Sequence, residues 1–244
     1  MCMAAIKLSE RVFKMDTLPA VDSFNEVWAD NPEVFRDMEL LEGKISVRRT
    51  VKSGLSEQGN IYGLEDEEGR VNLNTASLEV LASLPGFDRG IAEAIVDWRD
   101  GDSVPAPGGA ENSFYQSLSP PYSCKNGDLE SVEELLLIRG ITSSSYQKVQ
   151  PYVTVYGDGK INLNTASEDV LLALGLSSVL IDAIVRYRRG DDGMDRTKDD
   201  NVFTDTRDAV KRVTDFTDIS PEDQSQFRKL LLDKLFSVCS KHFR

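Results

Sequence analysis

Apolar positions recur at helical spacing through the middle of the chain, in two stretches entered by the same polar run. Val71-Asn72-Leu73-Asn74-Thr75-Ala76-Ser77 returns ninety positions later as Ile161-Asn162-Leu163-Asn164-Thr165-Ala166-Ser167. One copy continues into Glu79-Val80-Leu81 and the other into Asp169-Val170-Leu171. Each closes on a second helical pattern, Ala94-Ile95-Val96 with Trp98-Arg99 and Ala183-Ile184-Val185 with Tyr187-Arg188. The second copy is one residue shorter between its helices. A duplicated helical unit buries its apolar faces by stacking on its neighbours. Helix starts are predicted at Asn74 or Thr75 in the first copy and at Thr165 in the second, where Glu168 completes a capping box.

Residues 131–149 hold another helical pair, Val132-Glu133-Glu134-Leu135-Leu136 and 146–149, around a turn at Arg139-Gly140-Ile141. Ile6, Val12, Phe13, Leu18, Val21, Phe24, Val27 and Trp28 recur at roughly helical spacing over residues 4–30, with Pro19 as a break or as the start of a second helix. Residues 44–51 are β-branched and partly alternating, which predicts a strand after Gly43, and 59–64 predict another. A short β-prone link falls at 151–156, helices near 206–213 and 221–236, and a β-like end at 236–244. Strands thus lie before and after a helical block, and an α+β fold with a helical insertion follows more naturally than an alternating α/β sheet.

Composition bounds the function. The chain has 244 residues, 40% apolar and 28% charged, in the range of soluble globular proteins. Its net charge of −13 works against nucleic acid, because phosphate affinity rests on Lys and Arg. It suits calcium, a basic partner or plain solubility. Cys2, Cys124 and Cys239 fit no metal spacing, and a Cys124–Cys239 disulfide and free thiols both stay open. His242 is the single histidine, which excludes a multi-histidine metal site. No apolar run is long enough to span a membrane, and the start at Met1-Cys2-Met3 lacks the pattern of a signal peptide.

Two features carry candidate chemistry. The helix, Pro-Gly turn, helix pattern resembles the helix–hairpin–helix module that grips DNA backbone at a helix N-terminus. Here, however, the turn Leu84-Pro85-Gly86-Phe87-Asp88-Arg89 has Asp where a second glycine belongs, the second copy has Ser, and lysine clusters are absent. Packing therefore outweighs DNA binding. The other feature is a pair of acidic loops after the closing helices. Asp97, Asp100, Asp102 and Glu111 surround residues 101–109, and Asp191, Asp192, Asp195, Asp199 and Asp200 crowd residues 190–201. Calcium takes six to eight oxygens in irregular, glycine-containing loops and gives such charges a reason to converge. A solvated loop is the alternative for both, since neither has EF-hand spacing. A chance carboxylate pair carries no weight as a glycosidase signal among 41 acidic residues. The segment from Phe114-Tyr115 to Pro120-Pro121-Tyr122 reads as loop packing before ligand groove. No nucleophile–base motif, P-loop or zinc-protease motif occurs, so catalysis is not expected.

An ordered series of motifs resembles one family. It runs from Asp22-Ser23-Phe24-Asn25-Glu26-Val27-Trp28-Ala29 through Glu65-Asp66-Glu67-Glu68-Gly69-Arg70-Val71-Asn72-Leu73-Asn74-Thr75-Ala76, Gly108-Gly109-Ala110-Glu111-Asn112 and Tyr115. It continues with Pro120-Pro121-Tyr122, Lys125-Asn126-Gly127, Ser131-Val132-Glu133-Glu134-Leu135, Pro151-Tyr152-Val153-Thr154 and the second Asn-Leu-Asn-Thr-Ala. The set, over residues 20–240, is similar to general secretion pathway protein K, the minor pseudopilin of the type II secretion system.

The resemblance implies a pilin-like N-terminal helix and antiparallel sheet with a large inserted helical domain of duplicated helix–hairpin–helix-like (SAM-like) units. It divides the chain into a pilin-like helix and first strands at 1–70, the insertion at 71–235 and returning strands from 236. Repeat 1 would occupy about 71–100, a middle pair 129–150 and repeat 2 161–190. It implies a non-enzymatic role at the tip of a periplasmic pseudopilus, nucleating or capping the fibre with minor pseudopilins I and J. Secreted substrate and outer-membrane secretin are further partners, and nucleic acid is not. It associates calcium with the helical domain, and matching positions are Asp100, Asp102 and Glu111, with Asn126 and Asp128 to complete a shell. Asp191, Asp195, Asp199 and Asp200 are the expected ligands of the second loop. The family's membrane-anchoring helix and prepilin peptidase site have no counterpart here, and a shortened chain with its inner-membrane anchor missing is expected. The competing class is a helix–hairpin–helix DNA-binding protein of competence type.

Overall fold

The computed structural model describes residues 6–7, 10, 12, 20–40, 43–53 and 56–244. Of the helix expected over 4–30, Ile6, Lys7, Glu10 and Val12 are helical, and the other residues before 20 lie outside the described residues. Residues 20–31 are a chain of turns instead of helix. There the Ser23 N–H is taken by Glu26 Oε1 at 2.8 Å, the Trp28 indole N–H by Glu26 Oε2 at 3.1 Å, and the Asp22 N–H by the Val238 carbonyl at 2.9 Å. Local side-chain acceptors and a remote backbone partner thus replace the helical ladder. Trp28, 2% exposed, packs edge-on against Phe243 at 4.8 Å, in a small core with Val12, Ala29, Phe35 and Leu64.

A short helix, α1 (Pro32–Phe35), is capped by Asn31, whose side chain accepts from the Val34 N–H. Two antiparallel hairpins follow, β1 (Met38–Leu40) with β2 (Gly43–Ile45), and β3 (Arg49–Ser53) with β4 (Ser56–Ile61). The strand expected over 44–51 is therefore divided between two hairpins, and the one expected at 59–64 starts and ends earlier.

The repeats build the main core. In the first, β5 (Val71–Asn72) leads to α2 (Leu78–Ala82) and α3 (Arg89–Arg99). A short helix α4 (Asn112–Gln116) follows, then a 3-10 helix (Val132–Leu137), α5 (Ser143–Val149) and β6 (Val153–Thr154), which pairs parallel with β5. The second repeat runs β7 (Ile161–Asn162), α6 (Glu168–Ala173) and α7 (Ser178–Arg188). Then come α8 (Ala209–Phe216), α9 (Pro221–Leu232) and β8 (Phe236–Ser237), which pairs parallel with β7. Each unit is thus two helices, a long connection (carrying α4 in the first unit), two more helices and a strand returning beside the entry strand. A returning antiparallel strand was expected from 236, yet Phe236–Ser237 closes the second helical unit. One apolar cluster, including Leu73, Leu81, Trp98 and Leu135 with Leu163, Leu171, Phe203 and Phe227, runs through both units.

The helix caps also differ from expectation. Ser77 and Ser167 are the N-caps, accepting from the Val80 and Val170 N–H groups at 3.3 Å. The predicted caps lie inside the entry turn. There Asn72 Oδ1 accepts from the Asn74 N–H at 2.8 Å, Asn162 Oδ1 from the Asn164 N–H at 3.0 Å, and Thr165 donates to Asp66 at 2.5 Å.

Candidate metal centre

Helix α3 sets the first acidic loop in place. Asp88 caps its start by accepting from the Ile91 N–H at 2.9 Å, and its other end delivers Asp100 at the C-cap. Two carboxylates on the helix receive the loop that follows: Glu93 accepts from the Gly108 N–H at 2.6 Å and Asp97 from the Ala106 N–H at 3.0 Å. The loop lies so close that a Cβ on Gly109 would sit 2.0 Å from Asp97 Oδ2. This contact returns Glu111 to the end of α3, where Asp100, Asp102 and Glu111 bring ligand oxygens within 4.8 Å of one another.

Glu111 is 3% exposed, and its Oε1 has no hydrogen-bond partner. Asn126 reaches the same loop from a left-handed backbone (φ 47°), donating from Nδ2 to the Asp102 carbonyl at 2.6 Å. Its Oδ1 is likewise buried without a partner. Burial raises the Glu111 carboxyl above its ordinary 4.5, with repulsion from Asp97, Asp100 and Asp102 adding to it. Burial also raises Asp97, against its backbone hydrogen bonds and with help from Asp100 and Asp102. Two buried oxygens with nothing to accept from, beside crowded carboxylates, form a donor set for a hard cation and fit calcium. Asp128 is outside this group of three, its charge acting on Arg99.

The second loop is arranged differently. Asp192, Asp199 and Asp200 converge within 4.8 Å. Asp199 Oδ2 already accepts from the Asp191 and Asp192 N–H groups at 2.8 and 2.9 Å, and Asp200 from the Arg196 N–H at 2.7 Å. Asp195 is engaged with Arg189 at 3.2 Å, and Asp191 stands outside the group. The expected set of Asp191, Asp195, Asp199 and Asp200 is thus brought together only at Asp199 and Asp200. Asp192 completes the cluster, and only spacing within the turn distinguishes it from Asp191. Backbone and hydroxyl donors satisfy this loop from within, and no carboxylate oxygen of it is among the buried unpartnered atoms.

The helix–hairpin–helix turns are not open to phosphate. Gly86 (φ 83°) packs against Lys148 and the Ser145 carbonyl of α5. At the N-terminus of α7, Ser177 donates to Asp223 Oδ1 at 2.5 Å, so a carboxylate of α9 sits where a phosphate would bind. Cys124 and Cys239 are free thiols. Among the described residues no helix is long and apolar enough to cross a membrane.

The family described as Type II secretion system (T2SS), protein K matches residues 60–158. Type II secretion system protein K of Klebsiella pneumoniae is 37% identical over 97 residues, 39% of this chain and 30% of that protein. The protein of the same name from Pseudomonas aeruginosa is 27% identical over 224 residues, 80% of this chain and 60% of that protein. The chain therefore spans less than two thirds of either relative. The fold matches a chain in the crystal structure of the GspK-GspI-GspJ complex of enterotoxigenic Escherichia coli with a TM-score of 0.64. That match covers 99% of this chain and 81% of the other, at 21% identity. Residues 60–158 thus match the type II secretion system protein K family, and the chain is similar to members of that family beyond this segment.

Proposed function

We propose that this chain is the periplasmic part of a minor pseudopilin that assembles with pseudopilins I and J at the tip of a secretion pseudopilus. The fold match along almost the whole chain to a subunit of the GspK-GspI-GspJ complex carries this reading. The two helical units are SAM-like insertions. The turns, hairpins and Phe243 around Trp28 form its pilin-like body. The bulk of the insertion blocks addition of further subunits, so the protein nucleates or caps the fibre. Secretin and secreted substrate lie beyond that tip. The role is structural, with no chemistry on substrate.

Calcium completes the first acidic loop. Asp100, Asp102, Glu111 and Asn126 would hold it, supported by the unpartnered oxygens of Glu111 and Asn126. The cation would tie the end of α3 to two distant loop segments. Asp192, Asp199 and Asp200 form a weaker second site. Calorimetry on chelator-stripped protein, with a short DNA duplex titrated in parallel, tests this. Calcium heat whose tighter phase disappears in Asp100→Asn/Asp102→Asn while the weaker phase of the second loop persists, with silent DNA, is expected. Salt-sensitive DNA binding without a calcium response would overturn it.

A further inference from the structure

A cleft of about 150 Å³ opens between the Glu65–Arg70 segment and the entry turn of the second repeat. Arg49, Arg70, Thr165 and Ser167 line it, with Phe24 at one side and Glu65 and Asp66 forming part of the wall. A water occupies about 30 Å³ of liquid, so the cleft has room for roughly five waters or one small oxyanion.

Its donors are held in place but not used up. Glu65 accepts from Arg49 Nη1 at 2.8 Å and pairs with Arg70 Nη2 at 2.6 Å. Arg49 Nε and Nη2 and Arg70 Nη1 are buried and have no hydrogen-bond partner. The Arg70 side chain is 6% exposed, and its Nη1 reaches no nearer to Glu67 than 3.7 Å. A third guanidinium, Arg196, lies 4.6 Å over the Phe24 ring with its own Nε unpartnered. The other groups on the wall are committed elsewhere: Thr165 donates to Asp66, and Asp66 also accepts from Ser240, Asn162 and the Glu68 N–H. Buried guanidinium N–H groups without acceptors are costly, and a planar anion answers them two at a time.

We propose that this arginine-lined cleft binds a single carboxylate, received by the spare nitrogens of Arg49 and Arg70. A carboxylate fits better than phosphate because the wall already carries negative charge. Burial pushes Glu65 up, but Arg70, Arg49 and Arg244 outweigh it and hold the carboxyl at about 2, so Glu65 is ionised at neutral pH. A second full negative charge on the ligand would meet that carboxylate at close range.

The test uses the whole chain, labelled so that arginine Nε–H signals are seen by NMR, and titrated with acetate, inorganic phosphate and chloride at matched ionic strength. Acetate should shift the Arg49 and Arg70 Nε–H signals saturably, while chloride leaves them in place. Both Arg49→Gln and Arg49→Lys should weaken acetate binding by about tenfold or more, since neither restores the fork. An unchanged methyl spectrum shows that each variant folds. Equal responses to acetate and chloride, or unchanged acetate affinity in both variants, would overturn the site. A saturable response to phosphate alone would overturn the carboxylate assignment.

Discussion

The repeated asparagine and arginine side chains explain why one polar run occurs twice. The second asparagine of each copy exchanges two hydrogen bonds with a backbone far along the chain. Asn74 accepts from the Leu129 N–H at 2.8 Å and donates to its carbonyl at 3.0 Å, and Asn164 does the same with Phe203 at the same distances. The arginine ending each hairpin returns to the start of its own repeat. Arg99 donates to the Leu73 and Ala76 carbonyls, and Arg188 to those of Leu163 and Ala166. Arg188 is buried, and desolvation pulls its pKa down to about 10. Lysine cannot reach both carbonyls with a planar fork, so Arg188→Lys should cost about 2 kcal/mol. Arg99→Lys should cost less, because Arg99 is only partly buried. Asn164→Ala should also cost about 2 kcal/mol by removing two buried hydrogen bonds. Urea unfolding midpoints measure all three.

At the scale of elements, the first acidic loop depends on contact between backbone and helix. Gly109→Ala would drive a methyl into Asp97 and displace the segment that carries Glu111. Calcium affinity should fall by about tenfold or more, while the second loop is untouched. A calcium titration of G109A with unchanged affinity would separate loop packing from the site. The acidic turn at 65–70 gives a pH prediction. Glu65 is held at about 2 in the fold against an ordinary 4.5, so its stabilisation is complete above pH 4.5 and is lost as pH falls from there to 2. Its share is about 3 kcal/mol at most. Melting curves of Glu65→Gln should therefore be flatter than those of the parent over that range, and parallel curves would refute the assignment.

Much at this scale was legible in the sequence. The hairpin helices, the middle pair and the pairing of Asp100 with Asp102 followed from periodicity, repetition and loop position. The caps did not, because Thr165 satisfies a capping pattern but is drawn to Asp66, 99 positions away. The turns at 20–31 did not, since Asp22 and Trp28 answer to Val238 and Phe243, which apolar spacing cannot reveal. The choice of Asp192 over Asp191 and Asp195 rests on turn geometry and on Arg189.

For the whole molecule, the two helical units share one core, and the chain's end is stitched to its acidic turn. The Glu65 and Arg244 backbones exchange hydrogen bonds at 2.8 and 2.9 Å, and Glu68 accepts from the Lys241 N–H at 2.9 Å. These ties join the C-terminal residues beside Trp28 to the segment that enters the first helical unit. The most direct measurement is sedimentation velocity of this chain mixed with the soluble regions of pseudopilins I and J from the same secretion system. One faster species containing all three chains in equal amounts is expected. A pair of I and J sedimenting together, with this chain left free at every concentration tried, would contradict it.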